Sequence, residues 1–200
     1  MYRLYEFYHS GNAYKVRLLL TQLEIPFERV EIDILKGETR TLEFLAKNPN
    51  GRVPVLEIRP DLFLSESNAI LFYLSEGTQY LPTQPIERAQ VLQWLFFEQY
   101  SHEPNIATSR FWISILGKAS EYHDPLKKKH ELGYAALEVM EQHLIDHNFF
   151  VGEQYTIADI GLFAYTHVAY EGGFDLTKFP ATRAWLERIK TQPKHITIMQ

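Results

Sequence analysis

Ser10, Gly11 and Asn12 stand together between an aromatic, strand-like run and a run with helical spacing. Their types suit the stabilisation of an anion. A hydroxyl and a carboxamide donate hydrogen bonds. The first turn of a helix adds unpaired backbone N–H groups and the positive end of a dipole. Gly11 permits a sharp turn or the close approach of a ligand. The same residues also read as an ordinary helix cap, because Ser and Asn are favoured there. Tyr5, Tyr8 and His9 lie just upstream. A second pair, Glu66-Ser67, opens another helix-like run and carries the same two readings, an anion and ammonium site or a cap. Val53-Pro54 is an X–Pro bond, the kind for which a cis peptide is cheap.

Other chemistries are excluded by what is absent. The 200 residues contain no cysteine, which removes disulfides, a CxxC redox pair, zinc thiolates and a cysteine nucleophile. His102-Glu103 is not followed by the second histidine of an HExxH zinc motif. His143 and His147 are spaced i, i+4 without a nearby third ligand, and read as two surface histidines on a helix, so no metal is expected. The net charge is −5, and "LKKKHE" (126–131) is the sole basic knot, as on a solvated helix face, so no nucleic-acid partner is expected. No apolar run reaches the length of a membrane span. The first residues lack the basic and apolar regions of a signal peptide. A cytoplasmic location without a membrane partner is the expectation.

The elements that must position these residues fall into two halves. "YRLYEFY" (2–8) reads as a strand. Val16, Leu19, Leu20 and Leu23 mark one face of a helix. "FERVEIDI" (27–34) alternates as a second strand, and 39–49 reads as a short helix stopped at Asn48-Pro49. "VPVLEI" (53–58) and "PDLFLSES" (60–67) give two more strands, and 66–77 a helix ending at Gly77. The order implies a small mixed sheet with a parallel β1/β2 crossover and a tight antiparallel pair. Pro82 and Pro85 mark a linker over 78–87, between a first domain (1–77) and an all-helical one (88–200). Val91, Leu92, Leu95 and Phe96 share a helical face, as do Leu132, Ala136, Val139 and Met140. Thr156 and Asp159 form the T-x-x-D variant of a capping box. A last helix spans about 180–191, with Pro180 in its first turn.

"SGNAYKVRLLL" (10–20), "NPNGRVPVLEI" (48–58), "SESNAILFYL" (65–74) and "TIADI" (156–160), in that order and spacing, resemble the cytosolic glutathione transferase family, in its bacterial serine-type or nu-like members. The resemblance covers nearly the whole chain. It implies an α/β thioredoxin-like N-terminal domain and an all-α C-terminal domain. It implies that Pro54 follows a cis bond, and that glutathione is the cosubstrate with no permanently bound cofactor. Ser10 and Asn12 would then stabilise the glutathione thiolate, with a tyrosine mechanism through Tyr5 or Tyr8 as the weaker option. A free thiol of this type has a pKa of about 8.5, and each unit of depression needs about 1.4 kcal/mol. Ser67 would hold the γ-glutamyl carboxylate and Glu66 the α-amino group. The Val53 backbone would pair with the cysteinyl unit. Lys36 and Arg52 would approach the glycyl carboxylate, although either reads equally as a solvated surface charge.

By the same resemblance a small hydrophobic electrophile would lie between the halves, near Tyr8, His9, Tyr100, His102, Arg110 and Phe111. Arg110 would polarise developing negative charge, and His102 would contact glutathione or move a proton. The competing reading places most aromatics of 96–112 in the core. The expected activity is transfer of glutathione to the electrophile. A glutathione-dependent disulfide reductase, peroxidase or isomerase is the first alternative, and a non-enzymatic interaction module of the same fold is the second. A homodimer is expected.

Overall fold

The computed structural model describes all 200 residues, which divide into two compact units: 1–78 with 193–200, and 79–192. The first unit holds β1 (Tyr2–Glu6), α1 (Gly11–Gln22), β2 (Phe27–Glu31), α2 (Leu42–Lys47), β3 (Val55–Arg59), β4 (Leu62–Ser65) and α3 (Ser67–Ser75). The sheet order is β2-β1-β3-β4, with β1 parallel to β2 and both other pairings antiparallel. This is the mixed α/β, thioredoxin-like arrangement expected from the sequence.

The reasons are local. Helix α1 is buried almost all round, with Ala13, Val16, Leu18, Leu19 and Leu20 fully enclosed. Ile70 and Leu71 of α3 are also fully buried, and α3 packs beside α1. Strand β2 ends at Glu31, short of the expected Ile34, because Asp33 turns the chain by capping a 3₁₀ turn over Ile34–Lys36 through Leu35 N (2.9 Å) and Lys36 N (3.2 Å). A second 3₁₀ turn over Glu38–Arg40 takes the start of the helix expected from residue 39, so α2 is only six residues long.

The second unit holds α4 (Pro85–Phe97), α5 (Glu103–Arg110), α6 (His123–Asp146), α7 (Ile157–Thr166) and α8 (Pro180–Lys190). Wider π-helical turns at Glu98–His102 and Phe111–Ile115 flank α5. Every helix of this unit buries a face, and the unit is all-α as expected. On α4, Val91 and Leu95 are buried as expected, whereas Phe96 is exposed. On α6 the inward face is Leu126, Gly133, Leu137, Met140 and Leu144, together with Ala136; Leu132 and Val139 point to solvent. The capping box of α7 is formed, with Thr156 Oγ1 accepting from Ala158 N (3.2 Å) and Asp159 Oδ2 from Thr156 N (2.9 Å). Asp159 Oδ1 also accepts from Trp185 Nε1 (2.9 Å) and Phe150 N (3.2 Å), which ties the cap to the core.

The final residues, 193–200, belong with the first unit rather than with the helical domain to which the sequence assigned them. Backbone carbonyls of this segment are held by side chains from the β1–α1 connection, α1 and β2. Tyr14 Oη donates to Ile196 O (2.7 Å) and Arg17 Nη2 to Ile198 O (2.6 Å), while Tyr8 Oη reaches Met199 O and Arg29 reaches Gln200 O. No helix of the protein is long and apolar enough to cross a membrane.

Candidate functional site

Ser10 is the N-cap of α1. Its backbone is extended (φ −72°, ψ 120°), and its Oγ accepts from Ala13 N at 3.2 Å. The two readings of this residue are compatible. Capping uses a lone pair of the oxygen, whereas stabilising an anion uses the hydroxyl proton. Asn12 lies in the first turn of α1, and its Oδ1 accepts from Ser67 Oγ at 3.2 Å. The starts of α1 and α3 are therefore in direct side-chain contact, although 55 residues separate Asn12 and Ser67.

Ser67 opens α3 and is only 4% exposed. Its predecessor Glu66 has φ +68° and ψ 110°, a conformation that costs a non-glycine residue on the order of 1–3 kcal/mol. Such strain persists where the surroundings enforce it, and functional sites are where it clusters. Here it sets the direction in which the first N–H groups of α3 leave the β4 turn.

The loop before Pro54 is built by Asn48, which is buried. Its Nδ2 donates to Arg52 O (2.8 Å) and its Oδ1 accepts from Asn50 N (3.1 Å). Gly51 has φ +62°, and a Cβ there would meet Thr39 O at 3.0 Å and the Arg40 guanidinium closer still, so only glycine fits. The Val53-Pro54 bond is cis, as the resemblance implied. Val53 packs on the cluster of Tyr5, Phe44 and Val55.

The remaining expected residues are placed as follows. Lys36 is exposed and paired with Asp33 at 2.9 Å. Arg52 is exposed. Tyr5 donates to Glu57 Oε2 (2.8 Å), and burial followed by that bond raises its pKa, which disfavours it as a thiolate activator at neutral pH. Tyr8 is fixed by Met199 O through its hydroxyl and by Glu31 Oε1 through its N–H (3.0 Å); His9 packs edge-on against Phe7 and Tyr8.

In the helical unit, Tyr100 is exposed and Phe111 half-buried. His102 and Arg110 do not present the open groups expected of electrophile contacts. His102 is fully buried with Nε2 2.9 Å from Thr166 Oγ1, and Arg110, 4% exposed, pairs through Nε with Glu171 at 2.7 Å. Both direct a ring or guanidinium nitrogen to a partner inside the helical unit. His143 and His147 stack at 4.4 Å between ring centroids, and no group of three or more potential metal ligands exists.

One residue beside the candidate site has no counterpart among those the sequence pointed to. Lys15, on α1 one turn after Asn12, is fully buried; its Nζ lies 3.4 Å from Ser67 Oγ and 3.3 Å from Asn68 Oδ1.

Residues 1–76 match the model of the glutathione S-transferase N-terminal domain and residues 104–193 that of its C-terminal domain. The chain belongs to the glutathione S-transferase family. It is similar to a crystal structure of a glutathione S-transferase from Pseudomonas fluorescens, with 51% identity and a TM-score of 0.98 over 100% of this chain and 99% of the other. Among curated relatives, the disulfide-bond oxidoreductase YfcG of Escherichia coli is 30% identical over 92% of this chain and 88% of its own length. A glutathione transferase from Burkholderia graminis, solved with two glutathione molecules bound per subunit, has 29% identity and a TM-score of 0.85 over 96% of this chain and 85% of its own.

Proposed function

We propose that the protein binds glutathione and uses its thiolate as the nucleophile against a small hydrophobic electrophile. The Ser10 hydroxyl and the Asn12 amide, at the N-terminus of α1, stabilise the sulfur anion. The first backbone N–H groups of α3, that of Ser67 among them, hold the γ-glutamyl carboxylate, and Glu66 pairs with the α-amino group. The Val53 backbone pairs with the cysteinyl unit, while Lys36 and Arg52 approach the glycyl carboxylate. The observation that supports this reading is the Ser67–Asn12 hydrogen bond, which joins the start of α3 to the start of α1. The protein works in the cytoplasm as a homodimer, in line with the resemblance.

A second reading, disulfide reduction, is favoured by two observations: the relationship to YfcG and the Burkholderia neighbour holding two glutathiones; with no cysteine in the chain, the reducing sulfur is that of glutathione itself. In this reading one glutathione thiolate attacks the substrate disulfide, expelling one substrate thiolate and leaving a mixed disulfide. A second glutathione thiolate attacks that species at the glutathione sulfur, releasing oxidised glutathione and the other substrate thiolate. Steady-state assays with a haloaromatic acceptor and with a small disulfide, each plus glutathione, separate the readings. Turnover of the haloaromatic supports transfer, and turnover of the disulfide alone supports reduction. Turnover of neither, with glutathione bound, points to an interaction module.

A further inference from the structure

The buried ammonium of Lys15 has no part in the glutathione contacts above, yet it stands directly behind them. Donor and acceptor chemistry orders the chain from Lys15 to Ser67 to Asn12. An ammonium has protons and no lone pair, so it can only donate. Ser67 Oγ, 3.4 Å from Lys15 Nζ, therefore accepts from it. Its own single proton is directed to Asn12 Oδ1, 3.2 Å away. Both Lys15 contacts are long for N–H···O bonds, and the ammonium biases the two oxygens by its charge as well as by donation.

The consequence falls on Asn12. A carboxamide has a donor end and an acceptor end, nearly equal in shape. With Oδ1 turned to Ser67, an anion approaching from the opposite side of the amide meets its NH₂ end. The positive charge beside Ser67 Oγ favours the oxygen end of the amide over its partly positive NH₂ end; without it, Ser67 Oγ accepts from the amide as readily as it donates. The amide then turns over and presents its carbonyl oxygen to the sulfur, which repels a thiolate.

We propose that Lys15 is a positioning residue for thiolate stabilisation: through Ser67 it sets which end of the Asn12 amide faces the glutathione sulfur. This rests on the glutathione reading above. It assigns Ser67 a second duty, as the link between the γ-glutamyl end of the site and the thiolate end.

The test is a titration of the bound glutathione thiol, followed by thiolate ultraviolet absorbance, in the wild type, Lys15→Met, Asn12→Ala and the double variant. The wild type should hold the thiol below its free value of about 8.5. Lys15→Met should raise the bound value by about one unit, a tenfold loss of thiolate in the neutral range. In the Asn12→Ala background the same change should add nothing, because Lys15 acts through Asn12. Should Lys15→Met fail to fold, Lys15→Leu, which likewise carries neither charge nor donor, serves in the same comparison. An unshifted thiol in the Lys15 variant, or a full shift persisting without Asn12, overturns the proposal while the glutathione reading stands. A folded wild type that binds no glutathione, or whose bound thiol titrates like the free one, overturns the thiolate reading and this proposal with it.

Discussion

Ser10 carries two roles on one oxygen, and substitution can separate them. Ser10→Ala removes the acceptor of the 3.2 Å bond from Ala13 N and also the proton that would reach the sulfur. Loss of an N-cap costs about 0.5–2 kcal/mol when the replacement is Ala, and only a few tenths when it is Gly. For a protein of this length, about 1 kcal/mol corresponds to about 2–4 °C in Tm. A hydrogen bond to a charged group contributes about 1.5–3 kcal/mol, equivalent to about one to two units of thiol pKa. Ser10→Ala should therefore melt a few degrees lower and turn over about 10- to 100-fold more slowly below the thiol pKa. Ser10→Gly should melt close to the wild type yet show the same loss of turnover. The checks are a thermal melt and kcat/KM against a haloaromatic acceptor between pH 6 and 9. Normal turnover in Ser10→Gly would refute the thiolate role and leave Ser10 as a cap alone, with Asn12 as the sole side-chain donor.

Three further outcomes follow from the geometry. Ser67→Ala, which removes the hydroxyl that holds the Asn12 amide, should weaken glutathione binding about tenfold by calorimetry, about 1.4 kcal/mol, and an unaltered Kd would show that this hydroxyl plays no part in the site. Thr156→Ala should cost about 0.5–2 kcal/mol in denaturant unfolding, whereas an unshifted midpoint would show that the capping box is not stabilising. Asp159 gives a pH dependence: burial, outweighing donors led by the Thr156 backbone and Trp185, raises its carboxyl from 3.8 to about 6. The native state thus keeps a proton that the unfolded chain has already lost, so this group's contribution to stability falls as pH rises from about 4 to 6 and is level above. The size is on the order of 3 kcal/mol. Unfolding free energies of the wild type and Asp159→Asn, compared across that window, should diverge accordingly; parallel curves would contradict it.

Much of this was legible in the residues because local signals agreed with the fold. The aromatic alternation of β1, the i, i+3, i+4, i+7 spacing in α1 and the Thr156–Asp159 box each encode their own element. Ser10, Asn12 and Ser67 stand at helix starts that those patterns mark. What was missed depends on distant partners. Lys15 belongs to a residue type normally found at the surface, and only the full burial of α1 encloses it. Glu141 caps α8 by accepting from Ala181 N (2.9 Å) and Thr182 N (2.8 Å), across 40 residues of chain that no local pattern spans. His102 and Arg110 find Thr166 and Glu171 more than 60 residues later, and the π-helical turns beside them shift a face drawn on a regular helix. Likewise, Leu132 and Val139 fit an apolar stripe on paper, but the observed stripe of α6 runs along Gly133, Leu137, Met140 and Leu144.

The most direct measurement is a calorimetric titration of the wild type with glutathione, repeated on Ser10→Ala and Asn12→Ala. Binding with a Kd in the micromolar to low-millimolar range, with the proton released on thiol ionisation lost in the variants, is the expected result. A folded wild type that takes up no glutathione would contradict the assignment of the helix starts at Ser10 and Ser67 as a thiol-peptide site.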